Sequence, residues 1–289
     1  MVKVKFDKYQ ACGNDFIILD TSIDKASPER IKNFAKLLCD RHFGIGADGL
    51  ICLESSFSSD VRMRIFDAQG PEADMCGNGI RCVASYLWEK LNKSEVLIET
   101  NDGIKRIKKI GERYRVNMGK LRVKMEDLKK YFISTFPDDE TLLDKHIFFP
   151  EIGETEVSIV NSGEPHCVIF VDDVESEDID RYGKNITENR ELFPYGINVD
   201  LVEVIKSRTL KIRTYERGVF HETLACGTGA TASAGVAHLG KIKNNLIEVT
   251  THGGKIEIEV TENDLYMTGP AIRIFDGVID LDGGLDSGI

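Results

Sequence analysis

The sequence predicts an α+β protein with two pseudo-symmetric domains, each a curved, mostly antiparallel sheet around one central helix. Its 289 residues, at roughly 150 residues per domain, are enough for two domains. Its motifs recur once in the same order. Short β-branched segments in each half alternate apolar and polar residues and are bounded by Gly, Asn and Asp. These observations predict two homologous halves.

Two Cys-Gly-x-Gly motifs carry the repeat. Cys76 and Cys226 stand 150 positions apart, and each precedes apolar residues at helical spacing. Four further segment pairs follow the same order at offsets of 149 to 152: 13–16 with 163–166, 44–48 with 196–200, 64–67 with 213–216, and 99–103 with 249–254. The repeat predicts an N-terminal half over residues 1–120 and a C-terminal half over 121–271, with 272–289 as a candidate to return to the first half.

The composition restricts the function classes. Apolar residues at 42% and charged residues at 29% are typical of a globular chain. The 37 basic and 48 acidic residues give a net charge of −11, which repels phosphate backbones and anionic lipid. We therefore expect a small-molecule partner, with no nucleic acid and no membrane; a homodimer stays open.

The N-terminal segment and the cysteines indicate the compartment. Residues 1–6 alternate apolar and basic residues like a strand and lack the apolar core of a signal peptide. No apolar run approaches the roughly 20 residues that span a bilayer. The seven cysteines include no CxxC pair, which fits neither a disulfide framework nor a zinc ribbon. We expect a cytoplasmic protein with reduced thiols.

Cys76 and Cys226 are suited to inverting a carbon centre. A helix N-terminus lowers the pKa of a thiol and binds carboxylates. If the halves face each other, one thiolate can remove a Cα proton while the opposite thiol delivers one. His166 and Glu216 are candidates to assist the two sulfur atoms. The substrate carboxylate would be bound by four backbone N–H groups, those of Gly77, Asn78, Gly227 and Thr228.

Taken singly, a cysteine before a helix is more often a buried core residue than a catalyst. The duplication favours catalysis for two cysteines only. The other five lack a counterpart at the repeat offset, and we expect them to be core residues: Cys12, Cys39, Cys52, Cys82 and Cys167.

Four motifs resemble those of the diaminopimelate epimerase family. They are Gly-Asn-Asp-Phe at 13–16, Met-Cys-Gly-Asn-Gly at 75–79 with Arg81-Cys82, Pro-His-Cys-Val at 165–168, and Glu-Arg-Gly at 216–218 with Leu-Ala-Cys-Gly-Thr-Gly at 224–229. The resemblance runs over essentially the whole chain. It implies the fold named for that enzyme, an active site between the halves, and inversion at Cα without pyridoxal phosphate, any other cofactor or a metal.

The resemblance also implies a role for each matching residue. Cys76 and Cys226 would be the acid/base pair, with His166 and Glu216 as helpers. Arg217 would bind the carboxylate at the far end of diaminopimelate. The full set of implied substrate contacts is Asn14, Asp67, Gly77, Asn78, Glu164, Asn198, Arg217, Gly227 and Thr228.

Three departures from the family pattern bear on the substrate. Asp67 and Glu164 stand where the family has asparagine, and segment 216–223 is one residue longer than usual. Each like-charge contact with a second substrate carboxylate would cost about 4 kcal/mol at ~4 Å, and Arg217 could neutralise only one of the two acids. The departures predict an amino-acid racemase for a basic or donor-rich substrate such as histidine.

Three alternatives stay open. One is a diaminopimelate epimerase, which converts the LL- to the meso-isomer in lysine biosynthesis, with the two acids protonated or paired to Arg217. Another is an amino-acid-binding protein that has lost the chemistry. A third is a thiol redox enzyme, which requires Cys76 and Cys226 to approach within ~6 Å between Cα atoms.

Overall fold

The computed structural model describes residues 2–20, 28–91, 93 and 95–281. They form two compact units. The first runs to Tyr114 and takes in the chain again from Pro270, and the second is Arg115–Gly269. The sequence predicts the boundaries between the two halves after residues 120 and 271. Residues 282–289 of the predicted returning segment lie outside the described residues.

The elements of the described chain alternate strands with a few helices. The strands are β1 (Val2–Ala11), β2 (Asn14–Asp20), β3 (Gly49–Glu54), β4 (Val61–Asp67), β5 (Glu72–Ala73), β6 (Glu95–Thr100), β7 (Gly103–Ile110), β8 (Arg113–Gly119), β9 (Lys145–Phe149), β10 (Gly153–Asn161), β11 (Pro165–Phe170), β12 (Asn198–Lys206), β13 (Thr209–Glu216), β14 (His221–Thr223), β15 (Leu246–Thr251), β16 (Gly254–Val260), β17 (Leu265–Pro270) and β18 (Ile272–Leu281). The helices are α1 (Pro28–Cys39), α2 (Gly77–Leu91), α3 (Met125–Leu128), α4 (Ile179–Thr187) and α5 (Gly227–Gly240).

The first unit is a mixed sheet. β1 pairs antiparallel with β18 and β2, and β2 runs parallel to β3. β3 pairs antiparallel with β4, and β4 runs parallel to β6, which pairs antiparallel with β7. The short β5 forms a hairpin with β4. The two parallel pairs are joined through α1 and α2, because a parallel connection needs a long crossover.

The second unit repeats this pattern. β10 pairs antiparallel with β11, β11 runs parallel to β12, and β12 pairs antiparallel with β13. β13 forms a hairpin with β14 and runs parallel to β15, which pairs antiparallel with β16. Here α4 and α5 supply the crossovers. The predicted α+β class is confirmed, and each sheet contains two parallel pairs in addition to the predicted antiparallel ones.

One long helix is buried in each unit. The buried stretch is Gly77–Leu87 in α2 and Gly227–Ala237 in α5. The last glycine of each motif permits close packing. A Cβ on Gly79 would lie 3.1 Å from Ile65 Cδ1, and a Cβ on Gly229 would lie 2.4 Å from Asp200 Oδ1. Among the described residues, none of the helices has the length and apolarity needed to span a bilayer.

Adjacent phenylalanines in β9 test the packing of the second unit. Phe149 is fully buried in its core cluster, whereas Phe148 is 69% exposed. We expect Phe149→Ala to lower the free energy of unfolding by about 3–5 kcal/mol, since it removes a buried ring and leaves a cavity. Phe148→Ala is the matched control and should change it by less than ~1 kcal/mol. Urea unfolding of both variants measures this, and equal losses would contradict the assigned register of β9.

Candidate active site

Each predicted catalytic cysteine lies directly before a buried helix. The Sγ of Cys76 accepts a hydrogen bond from the N–H of Gly79 at 3.4 Å. The Sγ of Cys226 accepts one from the N–H of Gly229 at 3.3 Å, as the N-cap of α5. Both helices begin at the residue after the cysteine, as the motifs predict. The same sulfur contact at equivalent positions places each thiol at a helix end that favours negative charge.

The environments of the two thiols differ. Cys76 is partly exposed, whereas Cys226 is buried. Burial raises the pKa of Cys226 well above its usual value, and the negative charges of Glu216 and Asp200 raise it further. The contact with Thr228 Oγ1 and the hydrogen bond from the N–H of Gly229 act in the opposite direction. The surroundings therefore favour the protonated thiol at Cys226.

A chain of buried polar groups leads away from Cys226. The Oγ1 of Thr228 lies 3.3 Å from Cys226 Sγ and 3.0 Å from His166 Nε2. The other ring nitrogen of His166, Nδ1, lies 2.7 Å from Asp200 Oδ2. The hydroxyl of Thr214 donates to Asp200 Oδ1 at 2.7 Å. Sequence reasoning identified His166 and Thr228 but missed Asp200, which connects them to the sheet.

The strand register corrects one correspondence of the repeat. His166 lies opposite Asn198 across β11 and β12, and Phe16 lies opposite Gly49 across β2 and β3. Because Phe16 and His166 are equivalent in the repeat, Asn198 corresponds to Gly49, an offset of 198 − 49 = 149. The predicted offset of 152 for segments 44–48 and 196–200 is therefore wrong. This misalignment hid the fact that Asp200 has no acidic counterpart in the first unit.

Glu216 and Arg217 lie where β13 turns into β14. Burial raises the pKa of Glu216, while the hydroxyl of Thr223, which donates to its Oε1 at 2.5 Å, lowers it. Arg217 forms an ion pair with Glu164, and its backbone N–H donates to Asn198 Oδ1 at 2.9 Å. The second unit thus brings together eight predicted site residues: Glu164, His166, Asn198, Glu216, Arg217, Cys226, Gly227 and Thr228.

Equivalent ion pairs hold the two hairpins. Arg213 donates Nε and Nη2 to Glu222 at 2.8 and 2.7 Å. In the first unit, Arg64 donates the same two nitrogens to Glu72 at 2.9 and 2.7 Å. Such bidentate pairs fix geometry as well as charge. Sequence reasoning missed both pairs, although the two arginines belong to the repeated segments and the spacing to each glutamate was available.

Asp67 is the equivalent of Glu216 and ends β4. Its Oδ1 accepts the backbone N–H of Gln69 at 2.7 Å, so the carboxylate stabilises its own hairpin turn. Partial burial raises the pKa of Asp67. Asp67 belongs to the first unit and Glu164 to the second. Arg217 thus pairs with one of the two acids, Glu164, while Asp67 accepts a hydrogen bond from its own turn.

The remaining predicted contacts of the first unit lie at the starts of β2 and α2. The Oδ1 of Asn14 is buried and has no hydrogen-bond partner in the described part of the chain. The Oδ1 of Asn78 accepts from Arg81 at 2.8 Å, and Arg81 also donates to the carbonyl of Gly77 at 2.9 Å. The fully buried Arg81, to which sequence reasoning gave no role, thus supports the N-terminus of α2.

The other five cysteines are buried, as predicted, and burial raises the pKa of each. All seven cysteines are free thiols. Within the described ranges, no three His, Cys, Asp or Glu side chains come together in a way that could hold a metal ion.

Sequence comparisons identify close relatives. The family profile for diaminopimelate epimerase matches residues 6–124 and 158–274. The diaminopimelate epimerase of Methanocella arvoryzae is 40% identical over 288 residues, covering 98% of this chain and 99% of that protein. That of Agathobacter rectalis is 39% identical, covering 96% of this chain and 100% of that protein. No histidine racemase stands among these relatives, so the predicted histidine substrate finds no support.

Solved structures show the same fold. A hydroxyproline epimerase from Agrobacterium vitis, with bound trans-4-hydroxy-L-proline, aligns with a TM-score of 0.73 at 14% identity, covering 98% of this chain and 94% of that one. A PhzF-family phenazine biosynthesis protein from Bacillus anthracis aligns with a TM-score of 0.67 at 16% identity, covering 97% and 100%. These matches confirm the predicted fold, and the family profile and sequence relatives confirm the predicted reaction type and family. The chain is an isomerase of the cofactor-independent amino-acid epimerase type and belongs to the diaminopimelate epimerase family.

Proposed function

We propose that the protein is a diaminopimelate epimerase, which inverts one α-carbon of LL-diaminopimelate to give the meso-isomer. The observation that carries the proposal is the equivalent placement of Cys76 and Cys226 at the N-termini of two buried helices, each sulfur accepting one helix N–H. Similarity over nearly the full length to diaminopimelate epimerases supports this substrate.

The chemistry needs one thiolate and one thiol. The thiolate takes the Cα proton and becomes a thiol, while the electron pair of the C–H bond delocalises into the adjoining carboxylate. The second thiol then gives its proton to the opposite face of Cα and becomes a thiolate. After one turnover the enzyme again holds a single negative charge, now on the other sulfur. Either the reverse reaction or proton exchange with solvent returns the charge to the first sulfur.

The helix N-termini supply the electrostatic stabilisation. Charge develops on the substrate carboxylate as the Cα proton leaves. Backbone N–H groups at the starts of α2 and α5 are fixed donors for this charge, which is stabilised without any rearrangement at the moment of reaction. Gly77 and Asn78 would act in this way from one helix, and Gly227 and Thr228 from the other.

The ion pair between Arg217 and Glu164 supports diaminopimelate over histidine. The distal carbon of diaminopimelate carries both an ammonium group and a carboxylate. Arg217 supplies a cation with several donors for the carboxylate, and Glu164 supplies an acceptor for the ammonium group. A histidine side chain could pair with Glu164 but would offer no carboxylate to Arg217. Because Glu164 pairs with Arg217 and Asp67 bonds to its own turn, the acidic residues at the two family asparagine positions are compatible with diaminopimelate.

A substrate panel tests this assignment. In D₂O under reducing conditions, we expect deuterium to enter Cα of LL- and meso-diaminopimelate at least ~10²-fold faster, per kcat/KM, than Cα of L-histidine, L-lysine or L-arginine, because those lack the distal carboxylate. Mass spectrometry with chiral chromatography gives both exchange and inversion. Faster exchange with histidine would reinstate a basic substrate, and tight binding of diaminopimelate without exchange would indicate a binding protein.

Removal of either thiol tests the acid/base roles. Cys76→Ala and Cys226→Ala should each lower the epimerisation rate by ~10²–10⁴-fold or more, since each removes one proton donor or acceptor. Cys52→Ala is the control, because this buried thiol belongs to the core cluster of the first unit and should keep the parent rate. Interconversion by either catalytic variant at the parent rate would refute the mechanism.

Arg217→Gln tests recognition of the distal group. We expect KM for diaminopimelate to rise by roughly 10- to 150-fold, the equivalent of about 1.5–3 kcal/mol for a charged hydrogen bond. Arg208→Gln removes an exposed arginine from the turn after β12 and serves as the control. An unchanged KM in Arg217→Gln would place the distal carboxylate elsewhere.

A further inference from the structure

The hydrogen-bond chain beyond Cys226 fixes the protonation of His166. The backbone N–H of Arg217 can only donate, and it bonds Asn198 Oδ1 at 2.9 Å. The amide of Asn198 therefore presents its NH₂ group to His166, and Nδ2 lies 3.4 Å from Nε2. A nitrogen that faces this donor is an acceptor, so Nε2 carries no proton. The proton of the neutral ring is on Nδ1.

The opposite side of the ring gives the same answer. Nδ1 lies 2.7 Å from Asp200 Oδ2, and the second oxygen of Asp200 accepts the hydroxyl of Thr214 at 2.7 Å. Both His166 and Asp200 are fully buried, so this carboxylate has no water to exchange for its partners. A carboxylate accepts hydrogen bonds only, which requires the N–H of His166 to point towards Asp200.

The direction of the remaining bonds follows. Because Nε2 of His166 is an acceptor, the hydroxyl of Thr228 donates to it across 3.0 Å. The oxygen of Thr228 then has only lone pairs to offer Cys226 Sγ at 3.3 Å. The bond between them is therefore completed by an S–H proton on Cys226. Reversing any one bond would leave two donors or two acceptors facing each other in a buried site.

We propose that Asp200 is a positioning residue, which holds His166 in its Nδ1–H form and thereby keeps the resting proton on Cys226. The proposal rests on the two-thiol chemistry above and deepens it. If Cys226 begins as the thiol, Cys76 begins as the thiolate and base. By the shared strand register, the first unit has Phe16 at the position equivalent to His166.

The charges around Cys226 also favour its protonated thiol form. Within the described residues, the ionisable groups on the strands that pack against α5 and act on Cys226 or Thr228 are Asp200 on β12, His166 on β11 and Glu216 on β13. The two carboxylates raise the pKa of Cys226. Glu164, at the start of β11, adds its negative charge at Glu216.

Asp200→Asn should reverse the direction of the hydrogen bonds between residue 200 and Cys226. The hydroxyl of Thr214 keeps the oxygen of the new amide, so the NH₂ group faces His166 Nδ1 and donates to it. The proton of the ring moves to Nε2 and points to Thr228, at the cost of the longer 3.4 Å contact with the Asn198 NH₂ group. Thr228 then donates to Cys226, and the thiolate is favoured. We expect the pH midpoint for alkylation of Cys226 by iodoacetamide, read from its peptide by mass spectrometry, to fall by about one unit or more.

Nitrogen-15 NMR of histidine-labelled protein reads the tautomer directly. The wild-type protein should show His166 protonated on Nδ1, and Asp200→Asn should show it protonated on Nε2. The basic limb of the pH profile of kcat/KM should move to lower pH in the variant, because the thiol form of Cys226 is lost earlier. Asp144→Asn removes another carboxylate of the second unit, from a residue with φ of 51° that asparagine tolerates, and should leave tautomer and midpoint unchanged.

Two results would overturn the proposal. One is an Nε2–H tautomer in the wild-type protein, a measurement that needs no variant and so does not depend on whether Asp200→Asn folds. The other is a folded Asp200→Asn protein with an unchanged tautomer and an unchanged midpoint. Both readouts use substrate-free protein, so they stand or fall separately from the diaminopimelate assay.

Discussion

The structure depends on one constraint, the close contact between the start of a buried helix and the sheet beneath it. Each Cys-Gly-x-Gly motif ends in a glycine whose hydrogen occupies space that a Cβ could not enter without moving its neighbours. Close packing brings the first helical N–H groups over the strands, where a sulfur atom and a substrate carboxylate can use them. A larger residue at position 229 would clash with Asp200. The carboxylate that packs against the start of the helix is therefore the same one that bonds His166.

Duplication gives the two units the same frame and different chemistry. Both hairpins are held by an arginine–glutamate pair, and both cysteines receive a helix N–H. In the second unit, buried carboxylates and a histidine lie around the thiol of Cys226. Inversion needs two groups of opposite protonation state, so this asymmetry is what the reaction requires of a symmetric scaffold. If the two environments were equal, neither cysteine would be favoured as the thiolate.

Sequence reasoning predicted the parts of the site that local rules determine. The motif spacing identified both helix starts and both cysteines, because a glycine-rich turn before an apolar period-3.6 segment is a local signal. Asp200 could not be found in this way, since it lies in a strand interior and is joined to His166 only by a parallel pairing. The offset of segments 196–200 was also read from glycine positions, whereas the strand register depends on pairing across the sheet. The pairing of one acid with Arg217 was among the alternatives that the sequence left open, and the structure assigns it to Glu164. The turn amide that bonds Asp67 is visible only in three dimensions.

The central claim is that two sulfur atoms act on opposite faces of one carbon. The most direct test follows the early turnovers of protiated LL-diaminopimelate in D₂O, with the isotope content of substrate and product measured separately. The account predicts that newly formed meso-diaminopimelate carries one deuterium at the inverted carbon while the remaining LL-isomer stays protiated, because the donor thiol has exchanged with solvent and the acceptor has not yet returned its proton. Deuterium that enters the unreacted LL-isomer as fast as the product, or a product that keeps the substrate proton, would show that a single base serves both faces and would contradict it.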